Sequence, residues 1–242
     1  QAWVGLSGGF GSVSFGRQYD PLFIALDSID PFGTGLSGAT TNLMASGASG
    51  DVRVNNSINY TTNNFSGFSA SGLYGLGEVA GDTSKSRTYA LSGSYANGPV
   101  AAVLAYSNNN NATNTNTTKL WLVGGTYNFG VATAHLGYES EKNDAGADYR
   151  DWMVGVSAPI GAGTVLASFI NKDDRSTANN AGAKQYALGY TYALSKRTNI
   201  YTSYAHIKND SGAAFVVGDA SSGGNAVAAG NNSNAFAVGI RH

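Results

Sequence analysis

The residues able to do chemistry are few, and their spacing points away from bond-making. The chain holds three histidines, His135, His206 and His242, and no cysteine. No two of these histidines share a metal-ligand spacing. Without cysteine there is no thiol nucleophile, no disulfide framework and no Cys-ligated zinc. Asp173-Asp174 and the asparagine run 108–111 do not match a calcium-loop pattern. No strained nucleophile turn or base partner stands out for a Ser–His mechanism. The chain is read as carrying neither metal nor other cofactor. The remaining polar residues instead alternate with apolar ones. Arg53, Asn55, Ser57 and Asn59 alternate with Val54, Ile58 and Tyr60, so Arg53, Asn55 and Ser57 are expected to face water. His135 and Glu139 share a face with Thr133 and Gly137, and Lys172 shares one with Thr164 and Ser168. These groups act through their fields and hydrogen bonds, not through covalent steps.

The composition narrows the class. Lys+Arg number 14 and Asp+Glu 15 in 242 residues, a net charge of -1. Charged residues make up 12%, against roughly 25% in an ordinary soluble domain. Near-neutral charge argues against nucleic acid as the main partner. No uncharged apolar run reaches the roughly 18–20 residues of a membrane helix. The opening Gln1-Ala2-Trp3-Val4 has neither the basic start nor the apolar stretch of a signal peptide.

The elements that must position the polar rows are strands. Alternation of period two runs through segments of about eight to ten residues. Trp152, Val154 and Val156 oppose Asp151, Met153, Gly155 and Ser157; Tyr186, Leu188, Tyr190 and Tyr192 oppose Gln185, Gly189 and Thr191. The faces of 198–207 are left unassigned. Thirteen segments are expected, starting near Ala2, Ser12, Arg53, Gly67, Arg87, Val100, Lys119, Val131, Asp148, Gly163, Ala183, Thr198 and Asn234. Their connections alternate between tight turns and long Asn/Asp/Ser/Gly-rich loops. Sorting loops by end in this way is the pattern of an all-β, antiparallel transmembrane β-barrel. In hydrocarbon every backbone N–H and C=O must be paired, so the strands must close without an edge. Tyr60, Tyr74, Tyr95, Tyr106, Phe129, Tyr138, Tyr192 and Phe236 are expected to form interface girdles. The first and last of thirteen strands run the same way, so antiparallel closure predicts an odd number of further strands before Gln1. Arg17 shares parity with Val13 and Phe15. A charge on the lipid face costs roughly 2–4 kcal/mol at mid-membrane and far less at the rim, which places Arg17 at the rim or on a loop.

Four segments then carry a family resemblance. They are Gly11-Ser12-Val13-Ser14-Phe15-Gly16-Arg17-Gln18-Tyr19-Asp20, Arg53-Val54-Asn55-Asn56-Ser57-Ile58-Asn59-Tyr60, Leu188-Gly189-Tyr190-Thr191-Tyr192-Ala193-Leu194-Ser195-Lys196-Arg197-Thr198 and Val238-Gly239-Ile240-Arg241-His242. The chain resembles the general diffusion porins of Gram-negative bacteria, the betaproteobacterial type in particular. The resemblance implies a sixteen-stranded barrel of which this chain, 1–242, is a partial domain lacking the first strands and the extreme C-terminus. It implies a homotrimer in the outer membrane, in contact with membrane lipid and lipopolysaccharide, passing ions and small polar solutes passively. It also implies that 19–52 is a long constriction loop folded into the lumen. Asp27 and Asp30 would be its acids, facing a basic wall that includes Arg53, with Arg17 nearby. Asn55, Ser57, His135, Glu139 and Lys172 would line the lumen. Two other readings fit a charge-poor, Gly/Asn-rich chain. A surface-exposed adhesin or β-helical passenger would show a fixed short repeat, and none is found. An outer-membrane barrel enzyme would need Ser, His and a polar partner convergent at one rim.

Overall fold

The computed structural model describes residues 1–45, 52–218 and 224–242. Thirteen strands form one sheet: β1 (Ala2–Gly8), β2 (Gly11–Tyr19), β3 (Arg53–Thr61), β4 (Phe68–Gly75), β5 (Thr88–Asn97), β6 (Val100–Asn110), β7 (Thr117–Asn128), β8 (Thr133–Asn143), β9 (Asp148–Ile160), β10 (Gly163–Asp174), β11 (Ala183–Ala193), β12 (Asn199–Asn209) and β13 (Ser233–Arg241). Each pairs antiparallel with its sequence neighbours, in the order β1 to β13. Every segment expected from the alternation is a strand, and each starts within two residues of its expected place. One difference is the asparagine run. Asn108, Asn109 and Asn110 continue the β6 ladder opposite Lys119, Thr118 and Thr117, where a loop was expected. Their backbones stay paired, so polarity does not end the strand.

The two faces are inverted relative to a soluble sandwich. Trp121, Val123, Leu104 and Leu188 are 51–59% exposed, whereas Leu122, Glu139 and Gln185 on the opposite parity are fully buried. The apolar rows therefore point away from the enclosed side. The unassigned strand resolves with Ser203, Ala205 and Ile207 inward and Tyr204 and Lys208 outward. Its two faces are both mixed, which is why alternation alone did not sort them. Aromatic rings gather in two outward rows. Tyr89, Tyr106 and Trp121 stack at 6.2 and 4.5 Å, and Trp152, Phe169 and Tyr186 at 5.1 and 5.0 Å. Near the tight turns, Phe68 meets Tyr95 at 4.4 Å and Tyr127 meets Phe129 at 4.6 Å. From Trp121 to Tyr127 the separation is about 20 Å along the strand at roughly 3.3 Å per residue. Among the described residues no helix is long and apolar enough to cross a membrane.

Between β2 and β3 lie one helix, α1 (Pro21–Ile29), and a short 3₁₀ turn (Thr40–Asn42). This single segment touches inner faces from β4 through β12, which only a curved sheet permits. β1 and β13 are not paired with each other. They point the same way, so an antiparallel barrel closes across them only through an odd number of further strands.

Candidate channel constriction

Asp20 starts the inward segment. Its carboxylate accepts from the Leu22 amide at 2.7 Å and the Ser107 hydroxyl at 2.9 Å. Pro21 takes the first helical position, where a missing amide costs nothing. The Asp20 amide reaches the Val52 carbonyl at 3.2 Å, so the segment leaves and rejoins the wall at one place. Apolar residues at helical spacing put one face of α1 on the wall. Leu22, Ala25, Leu26 and Ile29 pack with Val103, Ala105, Leu120 and Leu122. The other face, Ile24, Asp27 and Ser28, is exposed.

Past α1 the chain bends through Gly33 (φ +58°) and Thr34 (φ +47°). The Asp30 carboxylate organises the bend. It accepts from the amides of Phe32, Thr34 and Thr40, each at 2.9 Å, and from the Thr40 hydroxyl at 3.1 Å. Burial pushes this carboxyl above the usual carboxylate range, against the pull of the Thr40, Phe32 and Thr34 hydrogen bonds. The expectation that Asp30 faces the lumen is thereby corrected, because its charge is taken up by the loop's own amides. Asp27 is the acid left on the exposed face, accepting from the Thr34 hydroxyl at 2.6 Å.

The rest of the loop lies flat on the wall. Phe32 and Leu36 seat against Leu166, Ala187 and Tyr201. Two inner-face glycines make room: a Cβ at Gly155 would stand 2.8 Å from Pro31 Cγ, and one at Gly189 would stand 2.9 Å from Phe32 Cε1. The Gln185 side chain donates to the carbonyls of Gly38 and Ala39 (3.0 and 3.2 Å) and accepts from Asn42 (2.8 Å). His135 bridges the Ile29 carbonyl and the Ser157 hydroxyl, each at 3.0 Å. A carbonyl only accepts, so this network assigns the ring proton to Nδ1. Lys172 pairs with Asp151 at 2.7 Å and Glu141 at 3.4 Å, and donates to the Leu43 carbonyl at 3.0 Å. Its ammonium also sits over the Tyr149 ring at 4.4 Å. Glu139 accepts the Ala45 amide at 2.8 Å. His135, Glu139 and Lys172 thus face inward as expected. They are covered by the loop, however, and anchor it; they do not border open lumen.

Across from α1, the inner side of β1–β4 is clear and hydroxyl-rich. Ser7, Ser12, Ser14, Gln18 and Asn59 border a cavity of about 480 Å³ together with the apolar Trp3, Leu6, Val13 and Ile24. Gln18 donates to the Ser57 hydroxyl at 3.1 Å, Ser71 donates to Asn59 at 2.9 Å, and Ser69 shares a 2.7 Å hydrogen bond with Ser94. Ser57 is buried on this face, while Asn55 is exposed.

A bulge reassigns the arginines. The β2–β3 register slips so that Gly16 lies opposite Ser57 but Gln18 lies opposite Val54, with Gly16 at φ +130° and Asn56 at φ +44°. Val54, not Arg53, therefore shares the inner face with Ser57, and it packs on Leu73 and Ala90. Arg53 pairs with Tyr19, its guanidinium 4.7 Å from the ring centroid and donating to the hydroxyl at 3.0 Å. The expectation that Arg53 shares the water-facing side with Asn55 and Ser57 is corrected, since an extra residue reverses the sides beyond it. Arg17 is exposed opposite Ala2, two residues before β2 ends, and keeps the parity of Val13 and Phe15. Sequence reasoning missed Asp20, Gln18, Asp151 and Gln185. Asp20-Pro21 carried a readable helix-start signal, and Asp151 and Gln185 sat on the inward parity. Residues 46–51 of the expected 19–52 loop lie outside the described residues.

An antiparallel sheet that is apolar outside, hydroxyl-lined within and crossed by an inward-folded loop defines an outer-membrane β-barrel channel. The comparisons agree. The chain belongs to the Gram-negative porin family, which matches residues 1–213. It is 34% identical to outer membrane porin protein 32 of Delftia acidovorans over 99% of this chain and 72% of that protein. It is 31% identical to an outer membrane porin protein of Bordetella pertussis over 86% of this chain and 66% of that one. Among solved structures, an anion-selective porin from Comamonas acidovorans superposes with a TM-score of 0.83 at 32% identity, over 99% of this chain and 76% of the other. The chain is thus a porin of the Gram-negative outer membrane.

Proposed function

We propose that solutes cross between the exposed face of α1 and the hydroxyl wall of β1–β4, and that this passage favours anions. The withdrawal of carboxylates carries the reading. Asp20 caps α1, Asp30 binds loop amides, and Asp151 and Glu141 surround Lys172. On the described part of the loop this leaves Asp27 as the acid exposed toward the gap. The Comamonas porin, similar over nearly the whole chain, is itself named anion-selective. Hydroxyls and amides exchange hydrogen bonds with water and small polar solutes of either sign, so selectivity rests on the few uncompensated charges. Transport is passive and non-enzymatic in this reading. The His135–Ser157 pair holds α1 through the Ile29 carbonyl, with no carboxylate to orient it as a base.

The working assembly is proposed to be a homotrimer embedded in outer-membrane lipid. A Vibrio cholerae outer membrane protein of like fold, 17% identical, is described in a trimer form. The test is the reversal potential across planar bilayers in a salt gradient, with the full-length polypeptide as encoded. Anions are expected to be the more permeant, and Asp27→Asn should raise that preference. A cation-favouring potential, or one indifferent to Asp27, overturns the proposal.

A further inference from the structure

Most aromatic residues of this sheet point outward, and one that points inward is left uncovered. Trp3 of β1 lies directly opposite Gly16 of β2, in the row where Gly5 faces Ser14 and Ser7 faces Ser12. Partners directly opposite share a face, and this row is the inner one, since Ser14 continues to Asn59 and Gly16 to the buried Ser57 on β3. Other inward rings are occupied. Tyr149 lies under the Lys172 ammonium at 4.4 Å, and Tyr201 packs with Phe32 and Leu36. Trp3 is 56% exposed; its neighbours on that face, Gly5 along the strand and Gly16 across from it, have no side chain. It borders the cavity of about 480 Å³ from the wall, and Ile24 borders it from α1. An apolar lining with a few placed polar groups, at this size, is the make-up of a small-molecule site.

The lining selects the chemistry. No side chain bordering the cavity is charged. Gln18 is taken up by Ser14 and Ser57, and Asn59 by Ser71 and Thr61. The Ser7 and Ser12 hydroxyls and the Trp3 indole N–H make no hydrogen bond among the described residues. A flat apolar plate beside free hydroxyls and an N–H donor fits a neutral molecule with a C–H face and a hydroxylated edge. We propose that this cavity binds a neutral pyranose sugar, its C–H face stacked on Trp3, its other face toward Ile24, and its hydroxyls bonded to Ser7 and Ser12. The inference rests on the passage proposed along β1–β4 and names a class of solute held there. An open-chain polyol offers the same hydroxyls without the face, and a sugar acid brings a charge that finds no partner.

The test uses the full-length polypeptide as encoded, folded in detergent, with binding read by saturation-transfer NMR. The probes are methyl β-D-glucopyranoside, sorbitol and methyl β-D-glucuronide. A ligand of this size is expected to bind with a Kd of roughly millimolar order. Trp3→Ala should weaken the glucopyranoside about tenfold and Trp3→Phe less than about threefold, because the second variant keeps a ring. Ser7→Ala/Ser12→Ala should weaken it about fivefold, which gives a second reading should Trp3→Ala fail to fold. Sorbitol and the glucuronide should each bind more weakly than the glucopyranoside. In planar bilayers the glucopyranoside should lower the ion current, and less so in Trp3→Ala. Equal binding of the glucopyranoside by wild type, Trp3→Phe, Trp3→Ala and the serine variant would overturn the proposal. So would sorbitol or the glucuronide binding as tightly as the glucopyranoside. A failure of the passage reading shows differently: Trp3-dependent binding in detergent with no effect on the current would uphold the site and refute the passage.

Discussion

Removing the Asp30 side chain tests whether this residue pins the loop. Asp30→Ala takes away the acceptor for four donors, namely the amides of Phe32, Thr34 and Thr40 and the Thr40 hydroxyl. Thr34 is partly exposed and can turn to water, and a hydroxyl can rotate. Phe32 and Thr40 are 2% and 0% exposed, so their amides are orphaned. An unsatisfied buried donor costs about 1–3 kcal/mol, which gives about 2–6 kcal/mol for two. Relief of the carboxylate's own burial cost offsets part of this, leaving about 2–3 kcal/mol, or about thirtyfold to 150-fold in a local opening equilibrium. Hydrogen exchange read by mass spectrometry should show the amides of 30–40 exchanging faster by that factor, with strand amides unchanged. Asp30→Asn keeps one acceptor oxygen and buries no charge, so its effect should be smaller. Exchange in Asp30→Ala within threefold of wild type would refute the pinning role. The pH dependence has a definite sign. Burial raises this carboxyl in the folded protein, so the folded state holds a proton that the unfolded chain has released. The group's contribution therefore falls as pH rises through the window above the usual carboxylate range. Mild acidification should tighten the loop, and acid-induced exchange in Asp30 protein alone would contradict this.

Three further outcomes are expected. Lys172→Met strands Asp151 and Glu141 as buried carboxylates and should cost about 3–5 kcal/mol, seen as a lower thermal midpoint by tryptophan fluorescence; an unchanged midpoint would show the cluster to be dispensable. Gly155→Ala puts a methyl group 2.8 Å from Pro31 Cγ, costs about 1–3 kcal/mol and drives the bend toward the gap, so single-channel conductance should fall. Val123→Arg places a charge amid the outward apolar band and should lower folding into lipid vesicles by about 2–4 kcal/mol; equal folding yield would mean that this face does not meet hydrocarbon.

The strands were legible because a period-two pattern needs only one face to meet lipid. Trp121, Val123, Leu188 and Val154 announce it whatever lies behind them. The inner face was less readable, since three surroundings share it. Leu120, Leu122 and Met153 meet the loop's apolar side, Lys172 and Glu139 meet its backbone, and Ser14 and Asn59 meet the open gap. Alternation reports which side a residue takes, not what covers that side. Arg53 was misplaced for a separate reason. Backbone at Gly16 and Asn56 takes up an extra residue, and short-range hydropathy does not register such a slip. Asp30 was misjudged because its partners arise from a bend that brings Thr40 back onto it, a tertiary closure with no periodic trace.

The loop leans on one side only, and this makes the route through the molecule eccentric. Its footing is shared among strands from β4 to β12, while the proposed path lies along the flank that begins at β1. Footing and passage are therefore separable. Serines and asparagines of β1–β4 can be exchanged to retune what passes without loosening what narrows the path. A force applied from outside against β8–β10 is instead transmitted through Lys172 and His135 straight to the narrowing element.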